Sequence, residues 1–524
     1  MNIGEVMLEF KIKPVDEMSV DELIGQVIMI GLPHNYLDND YKQFIKKYHI
    51  GNFILFSRNY SDTKQMKCFM KELYEHTMKT TNSFPLVSID QEGGMVVRLF
   101  KDVTFPASPL TTSATNVEDA PYITGKIIGK DMLSMGINLN LAPCLEINEN
   151  LSNPLVNIRG YGQTKEMVLQ NASRFVMGIQ DSGALSCVKH FPGAGSSTKD
   201  THLETAVVDE TKENLINYNM YPFLNLLQSD ALMSSHCIYS SFDSFPSTLS
   251  KVLLTDFLRE EIGFEGLIIS DGMEMNAIKD EYGIGKGSVL ALNAGCDILL
   301  LCHEYDEQKE AFDAVKKAVE NKELSIDLLK QKVSRINNAK QKILKSLSKY
   351  FTNDEYVINY EEHNLMQEIV DQSYTLISGS IPVINENTLV LSPNAVVNSI
   401  VEDEFDERDL TKVLKRNFPN NEIIQFNKKE NFVSETLSKA KEYENILIFS
   451  YDAYNNEIQK QTINEILKLE NKKVYVVSLK GPIDRQYFNN LVNYSCLYEY
   501  TPNSIKTIIK QLKSKMQLNG KLPK

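Results

Sequence analysis

The sequence ALSCVKHFPGAGSSTKDTH runs from Ala184 to His202. It begins with an apolar run, Ala184–Val188, which is short enough for a buried strand. The predicted strand ends in a cation and an imidazole, Lys189 and His190. The residues that follow are rich in Gly, Pro, Ser and Thr, which indicates a loop. We therefore expect a fold in which buried strands end in polar side chains and are followed by loops.

The end of this loop contains an aspartate and a histidine, Asp200 and His202, that are two residues apart. If the segment is extended, the two side chains share a face. A carboxylate beside an imidazole can fix its tautomer and raise its basicity, as a general acid or base requires. The alternative is a polar surface loop with a chance histidine, and these two residues alone do not decide between the two interpretations.

Apolar runs of the same kind recur along the first ~300 residues, and helical patterns separate them. The predicted strands cover 26–32, 51–56, 85–90, 137–147, 184–191, 231–239, 266–271 and 297–301. Near-continuous apolar strands between helices indicate a parallel sheet with both faces covered. Repetition of this unit eight times predicts an α/β fold of the (β/α)₈ TIM-barrel type. An open doubly wound sheet remains the competing fold, because counting strands does not prove closure.

A chain of 524 residues is too long for one ordinary domain. We expect a catalytic barrel with flanking helices over 1–348, a linker or connecting helix over 349–384, and a C-terminal domain over 385–524. In the last of these, helical patterns separate a second set of predicted strands. They cover 388–392, 423–426, 445–451, 473–479 and 496–500. This alternation predicts a small α/β sandwich domain.

Composition restricts the class of protein. The net charge of −14 argues against nucleic-acid binding, which favours a basic surface. No apolar stretch approaches the ~18 residues of a membrane span. The seven cysteines are scattered and lack disulfide or zinc spacing, which is typical of free thiols in a reducing compartment. We therefore predict a soluble cytoplasmic protein.

A barrel makes a prediction about position, because active-site groups of such enzymes lie at the carboxyl ends of the strands. Several predicted strands end in a chemically active side chain: Asp90, Lys189, His190, His236 and Asp271. Each of them singly could be a satisfied polar cap. Their common position at strand ends favours one shared site.

Four further motifs carry a family resemblance. The sequence reads IDQEGG over 89–94, RGYG over 159–162, KHFPG over 189–193 and IISD over 268–271. In this order they resemble glycoside hydrolase family 3, specifically its β-N-acetylglucosaminidase branch. The C-terminal block resembles the α/β sandwich that many members of the family carry, without a sharp motif.

The resemblance implies a retaining exo-β-N-acetylglucosaminidase that hydrolyses terminal β-linked N-acetylglucosamine, with peptidoglycan fragments as the expected source. Retaining glycosidases pair a carboxylate nucleophile with an acid/base group. By resemblance, Asp271 is the nucleophile that forms a covalent glycosyl-aspartate. His202 is the acid/base and Asp200 holds it, as in this branch of the family.

The resemblance also assigns substrate contacts. The expected sugar-binding residues are Asp90, Arg159, Lys189, His190 and His236. No metal and no organic cofactor is implied, the partner is a small-molecule glycoside, and the oligomeric state is left open.

Three positions depart from the family pattern, namely Ala194, Met95 and Glu146, where the family usually has histidine, arginine and aspartate. They leave alternatives open. A histidine acid/base lacks the fixed charge of a glutamate, so a phosphorylase on the same scaffold could admit phosphate. A sugar-binding descendant without turnover, and a β-glucosidase, are the other possibilities.

Overall fold

The computed structural model describes residues 7–149, 156–193, 206–351, 355–394 and 409–523. In its first part, eight parallel strands close into a barrel in the order β1-β8-β7-β6-β5-β4-β3-β2. The strands are β1 (Ile28–Gly31), β2 (Asn52–Leu55), β3 (Leu86–Ile89), β4 (Leu139–Asn140), β5 (Leu185–Phe191), β6 (Ala231–Ser234), β7 (Leu267–Gly272) and β8 (Ile298–Leu301). The barrel prediction is confirmed, and closure excludes the open sheet.

Burial explains why these strands read as continuous apolar runs. Every residue of β1, β2, β3, β6 and β8 is buried. One face of each strand packs inside the barrel and the other packs against the helical layer, so neither face favours polar residues. The only partly exposed positions in β5 and β7 are His190 and Asp271, which lie near the carboxyl ends of these two strands.

Helices surround the barrel. The α-helices are Val20–Gln26, Asn39–Tyr48, Thr63–Thr81, Pro109–Ala114, Ala120–Ser134, Lys165–Ser182, Lys212–Asn214, Tyr221–Leu224, Asn276–Tyr282, Ile284–Ala294, Tyr305–Glu320 and Ile326–Tyr350. Wider π-helical segments cover Leu215–Asn219 and Val252–Glu261. The helix before β5 illustrates the local signals: the Thr164 side chain accepts from the Met167 N–H, and Gly183 ends the helix with a φ of 95°.

A second sheet of six strands follows, in the order β9-β14-β13-β12-β10-β11. Its strands are β9 (Thr375–Ser378), β10 (Thr388–Ser392), β11 (Ile423–Gln425), β12 (Asn445–Ser450), β13 (Lys473–Ser478) and β14 (Asn493–Cys496). The associated helices are Tyr360–Ser373, Leu410–Asn417, Phe432–Ala440, Glu457–Ile466 and Pro502–Ser514. All pairs are parallel except β9 with β14, which is antiparallel.

Two details of this sheet differ from the sequence prediction. The last strand is Asn493–Cys496, not 496–500, because the chain leaves the sheet after Cys496. The expected linker 349–384 contains β9, so the second sheet begins before residue 385. Only Thr375 of β9 is buried, and such an edge strand lacks the apolar run by which the other strands are recognised.

The two parts of the chain share a packed boundary. Barrel-side residues Met95, Leu110 and Ile158 belong to the same apolar cluster as Tyr451 and Tyr500 of the second part. Such shared burial fixes the loops that carry these residues. Within the described residues, no helix has the length and apolar character that a membrane crossing requires.

Candidate active site

A cavity of about 660 Å³ opens at the carboxyl ends of the barrel strands. Its wall contains four of the predicted strand-end residues, namely Asp90, Lys189, His190 and Asp271, together with Arg159. This volume lies in the range of small-molecule sites. The structure therefore brings five of the predicted site residues to one cavity, at the edge of the barrel where such folds place their chemistry.

Three buried cations and two carboxylates form a network in this wall. The Lys189 Nζ lies 2.6 Å from Asp90 Oδ1 and 2.7 Å from Glu92 Oε1. Arg159 donates from Nε to Glu92 Oε2 and from Nη2 to Glu92 Oε1, each at 2.8 Å. Arg98 Nη2 lies 3.6 Å from the other Asp90 oxygen. Charge-assisted, partly bidentate contacts of this kind hold side chains in defined orientations.

The opposite charges of this network stabilise the ionised forms of its members. Burial alone would raise the pKa of Glu92, but Arg159 and Lys189 outweigh burial and lower it. Burial alone would lower the pKa of Lys189, but Asp90 and Glu92 outweigh it and raise that pKa. The carboxylate and the ammonium are therefore both charged in the folded protein. The cavity presents fixed cations that neighbouring anions already orient.

The nucleophile candidate Asp271 is the fifth residue of β7. It is half-buried, and its Oδ1 accepts a hydrogen bond of 2.8 Å from the Gly272 N–H. A carboxylate held by a backbone donor at the end of a buried strand has a restricted orientation toward the cavity that it lines.

The predicted sugar ligand His236 is placed differently from the other candidates. It is only 1% exposed and is not among the lining residues. Its Nδ1 contacts the Thr248 hydroxyl and its Nε2 contacts the Gly272 carbonyl oxygen, both at 2.9 Å. Since both ring nitrogens face protein groups, His236 positions the backbone beside Asp271 and does not contact the cavity.

His190 is held by Glu146. The His190 Nδ1 lies 2.8 Å from Glu146 Oε1, and the His190 N–H donates to the same oxygen at 2.9 Å. Burial raises the pKa of Glu146, but His190 outweighs burial and lowers it overall. Glu146, the residue that departs from the family's aspartate, thus orients the imidazole that faces the cavity.

Several predicted residues lie outside the described part of the chain, namely Asp200, His202 and the variant position Ala194. Met95, another departure from the family pattern, is 1% exposed and packs into the apolar cluster of the second part. Met95 is therefore not a cavity residue, whereas Glu146 lines the cavity.

Sequence reasoning missed some lining residues. Glu92 and Arg98 were not assigned a role, although Glu92 stands two residues after Asp90 at a strand end. Glu274 and His303 also line the cavity, after β7 and β8. The strand-end rule identifies all of these except Arg98, which the loop after β3 brings back to Asp90.

Glu274 is a carboxyl group in an unusual setting. Burial raises its pKa to about 7. Its Oε1 accepts from the His303 N–H at 3.0 Å, and its buried Oε2 has no hydrogen-bond partner among the described residues. Burial removes water from this carboxyl group and so favours its neutral form. The cavity wall thus contains a second acid three residues after Asp271.

The cavity contains the kinds of group that glycosyl transfer requires. It provides a carboxylate at a strand end, oriented cations, and an imidazole in one cavity. Among the described residues, Cys144, Glu146 and His190 are the one group with the donor types and spacing of a metal site.

Comparison with known proteins identifies the family. The model of the glycosyl hydrolase family 3 N-terminal domain matches residues 19–339. A β-hexosaminidase of Actinobacillus pleuropneumoniae serotype 5b is 30% identical over 321 residues, which cover 59% of this chain and 91% of that protein. β-Hexosaminidase A of Pseudoalteromonas piscicida is 26% identical over 394 residues, 70% of this chain and 65% of that protein, so the match spans just under two thirds of that relative.

A solved structure extends the likeness to both parts of the chain. The family 3 β-N-acetylglucosaminidase of Paenibacillus sp. str. FPU-7 superposes with a TM-score of 0.89 at 29% identity and covers 97% of this chain and 98% of its own. The family match spans more than half of the chain, in the barrel that holds the cavity. This chain therefore belongs to glycosyl hydrolase family 3, within its β-N-acetylglucosaminidase branch, and is a glycoside hydrolase.

Proposed function

We propose that this protein is a retaining exo-β-N-acetylglucosaminidase. The observation that carries the proposal is the position of Asp271 at the end of β7, in the wall of the cavity that also holds the Lys189–Glu92–Arg159 network. Relatives named β-hexosaminidase and β-N-acetylglucosaminidase support the sugar class.

The proposed reaction has two displacements. Asp271 attacks the anomeric carbon and forms a glycosyl-aspartate, while His202, held by Asp200, protonates the leaving oxygen. His202 then removes a proton from water, which attacks the same carbon and releases Asp271. The acid/base role rests on the family resemblance, because both loop residues lie outside the described part of the chain.

Substrate recognition follows from the charge network. We assign Asp90, Arg159, Lys189 and His190 to the hydroxyls of the terminal sugar. Arg159 and Lys189 are oriented by Glu92 before substrate arrives, so little ordering is left to occur on binding. Their hydrogen bonds can strengthen as charge develops in the oxocarbenium-like transition state.

The natural source of substrate is a finer part of the proposal. We assign peptidoglycan fragments on the family resemblance, and a cytoplasmic location on the chain's seven free cysteines, which fit a reducing compartment.

The decisive test is release of nitrophenol from 4-nitrophenyl β-N-acetylglucosaminide by the native chain and by Asp271→Asn. The matched control is Asp280→Asn, an exposed aspartate on the helix that follows. We expect Asp271→Asn to lower kcat by at least ~1,000-fold, as loss of a nucleophile does, and Asp280→Asn to leave kcat unchanged. Retention of activity in Asp271→Asn would refute the nucleophile assignment.

The acceptor and the acid/base require two further arms of the same assay. Free N-acetylglucosamine as the product, with and without phosphate, is expected of a hydrolase, whereas a sugar phosphate would identify a phosphorylase. In His202→Gln we expect larger losses with poor leaving groups than with nitrophenol, because a good leaving group needs little protonation. Equal losses with both kinds of substrate would contradict the acid/base role.

A further inference from the structure

Cys144, Glu146 and His190 form a compact group of metal-ligand types at the cavity wall. One donor atom from each of the three residues lies within 4.8 Å of the donors of the other two. All three residues line the cavity. They supply a thiol, a carboxylate and an imidazole, the three donor types that protein zinc sites use.

The backbone holds these side chains together. The Leu145 N–H donates to the Lys189 carbonyl oxygen at 2.7 Å, and the Lys189 N–H donates to the Pro143 carbonyl oxygen at 3.0 Å. Both chain neighbours of Cys144 are thus hydrogen-bonded to Lys189, and this holds Cys144 beside Lys189 and His190. These hydrogen bonds fix the segment after β4 against the carboxyl end of β5.

Glu146 has an acceptor without a partner. The residue is 3% exposed, its Oε1 is engaged by His190, and its Oε2 has no hydrogen-bond partner among the described residues. A buried carboxylate oxygen without a partner is costly. A bound cation would satisfy it, and this observation is independent of the spacing of the group.

The distances are compatible with a small ion. Tetrahedral zinc with bonds of ~2.0–2.3 Å places its donors roughly 3.3–3.7 Å apart. The present limit of 4.8 Å exceeds that spacing by about 1 Å, so binding of one ion requires the three side chains to close by about that distance. A thiolate and a carboxylate together neutralise a dication, and three protein ligands leave one position open toward the cavity.

We propose that Cys144, Glu146 and His190 bind a thiophilic divalent cation of the Zn²⁺ class, and that this cation competes with sugar for the cavity. The competitive part rests on the proposed function, because it requires His190 to be a sugar ligand. Coordination of its imidazole withdraws His190 from the sugar. The ion itself occupies space that a pyranose ring would use.

Binding is tested without any sugar. The chelator-treated full chain is titrated with Co²⁺, whose bond to a thiolate gives an ultraviolet charge-transfer band, and Zn²⁺ is then added to displace it. We expect one Co²⁺ per chain with this band, and its loss in Cys144→Ser. Glu146→Gln should keep the band but weaken binding by at least about tenfold. Cys68→Ser, which removes an exposed thiol, is the matched control and should bind within about twofold of the native chain.

The competition is tested by calorimetric titration with N-acetylglucosamine. Saturating Zn²⁺ is expected to raise the apparent Kd of the native chain by at least about tenfold and to leave that of Cys144→Ser unchanged. A band that is absent in the native chain or persists in Cys144→Ser overturns the cation site. Zn²⁺ binding without an effect on sugar affinity overturns the competition. A chain that binds no sugar even without metal would refute the proposed function, while the cobalt spectrum still decides the cation site.

Discussion

Replacement of Glu92 by glutamine tests whether the charge network is a structural necessity of the site. Glu92 is 1% exposed and accepts from both Arg159 and Lys189. Glutamine keeps the shape but removes the charge, so two buried cations lose their common anion. Breaking a buried ion pair from one side costs about 3–5 kcal/mol. Because Lys189 keeps Asp90 at 2.6 Å, we expect a loss of ~3 kcal/mol, near the lower end.

The matched control is an exposed ion pair of the same length. Lys309 and Asp313 also lie 2.7 Å apart, but their side chains are 46% and 51% exposed. Exposed pairs contribute little to stability because water screens them. We therefore expect no measurable change in the free energy of unfolding for Asp313→Asn. The two variants compare a buried carboxylate that pairs with two cations and an exposed carboxylate that pairs with one lysine, at the same separation of charges.

The assay is urea-induced unfolding of each variant, followed by circular dichroism at several pH values. The pKa of Glu92 is lowered on folding from its ordinary value of 4.5, so its ionisation stabilises the fold above about pH 4.5. This contribution is lost as the pH falls toward the folded pKa, and the native chain and Glu92→Gln should converge there. A loss in Glu92→Gln below ~1 kcal/mol at pH 7, or one independent of pH, would refute the reasoning.

Two further predictions concern the cavity wall and its support. Burial raises the pKa of Glu274 to about 7, so between about pH 4.5 and 7 the folded state keeps a proton that the unfolded state has lost. The free energy of unfolding of the native chain should therefore fall by about 3 kcal/mol as the pH rises through that window. Glu274→Gln should lack this loss in urea unfolding; parallel curves for the two chains would contradict it. Ile158→Ala should cost about 2–5 kcal/mol and weaken sugar binding through the adjacent Arg159. The control is Ile336→Ala, a truncation in a barrel helix, which should lower stability without changing the Kd for N-acetylglucosamine in calorimetry. Equal Kd values for the two variants would contradict the role of Ile158.

The barrel was predictable because its strands are buried on both faces. Continuous apolar runs such as Ile298–Leu301 give a strong local signal, and a helical pattern separates each one from the next. The strand Thr375–Ser378 was missed for the opposite reason. It lies at the edge of the sheet, where only Thr375 is buried, and it pairs with β14, more than a hundred residues later in the chain. Such pairing leaves no local pattern in the sequence.

The candidate site was predictable where a rule of position applied. Asp90, Lys189 and Asp271 stand at strand ends, and the structure brings them to one cavity. His236 satisfies the same rule, yet its ring turns to Thr248 and Gly272. Position in a strand determines which edge of the barrel a residue reaches, but the side-chain partners that decide its direction are distant in sequence.

The second part of the chain packs against the loop that carries Arg159. Ile158, which immediately precedes Arg159, is 2% exposed and lies in the apolar cluster with Tyr451 and Tyr500. Arg159 in turn reaches Glu92 in the cavity wall. A loop with one residue in a packed core and the next in a buried ion pair has little freedom to move. Among the residues that the structure describes, the C-terminal part therefore supports the cavity without contributing to its wall, because it holds the backbone from which Arg159 projects.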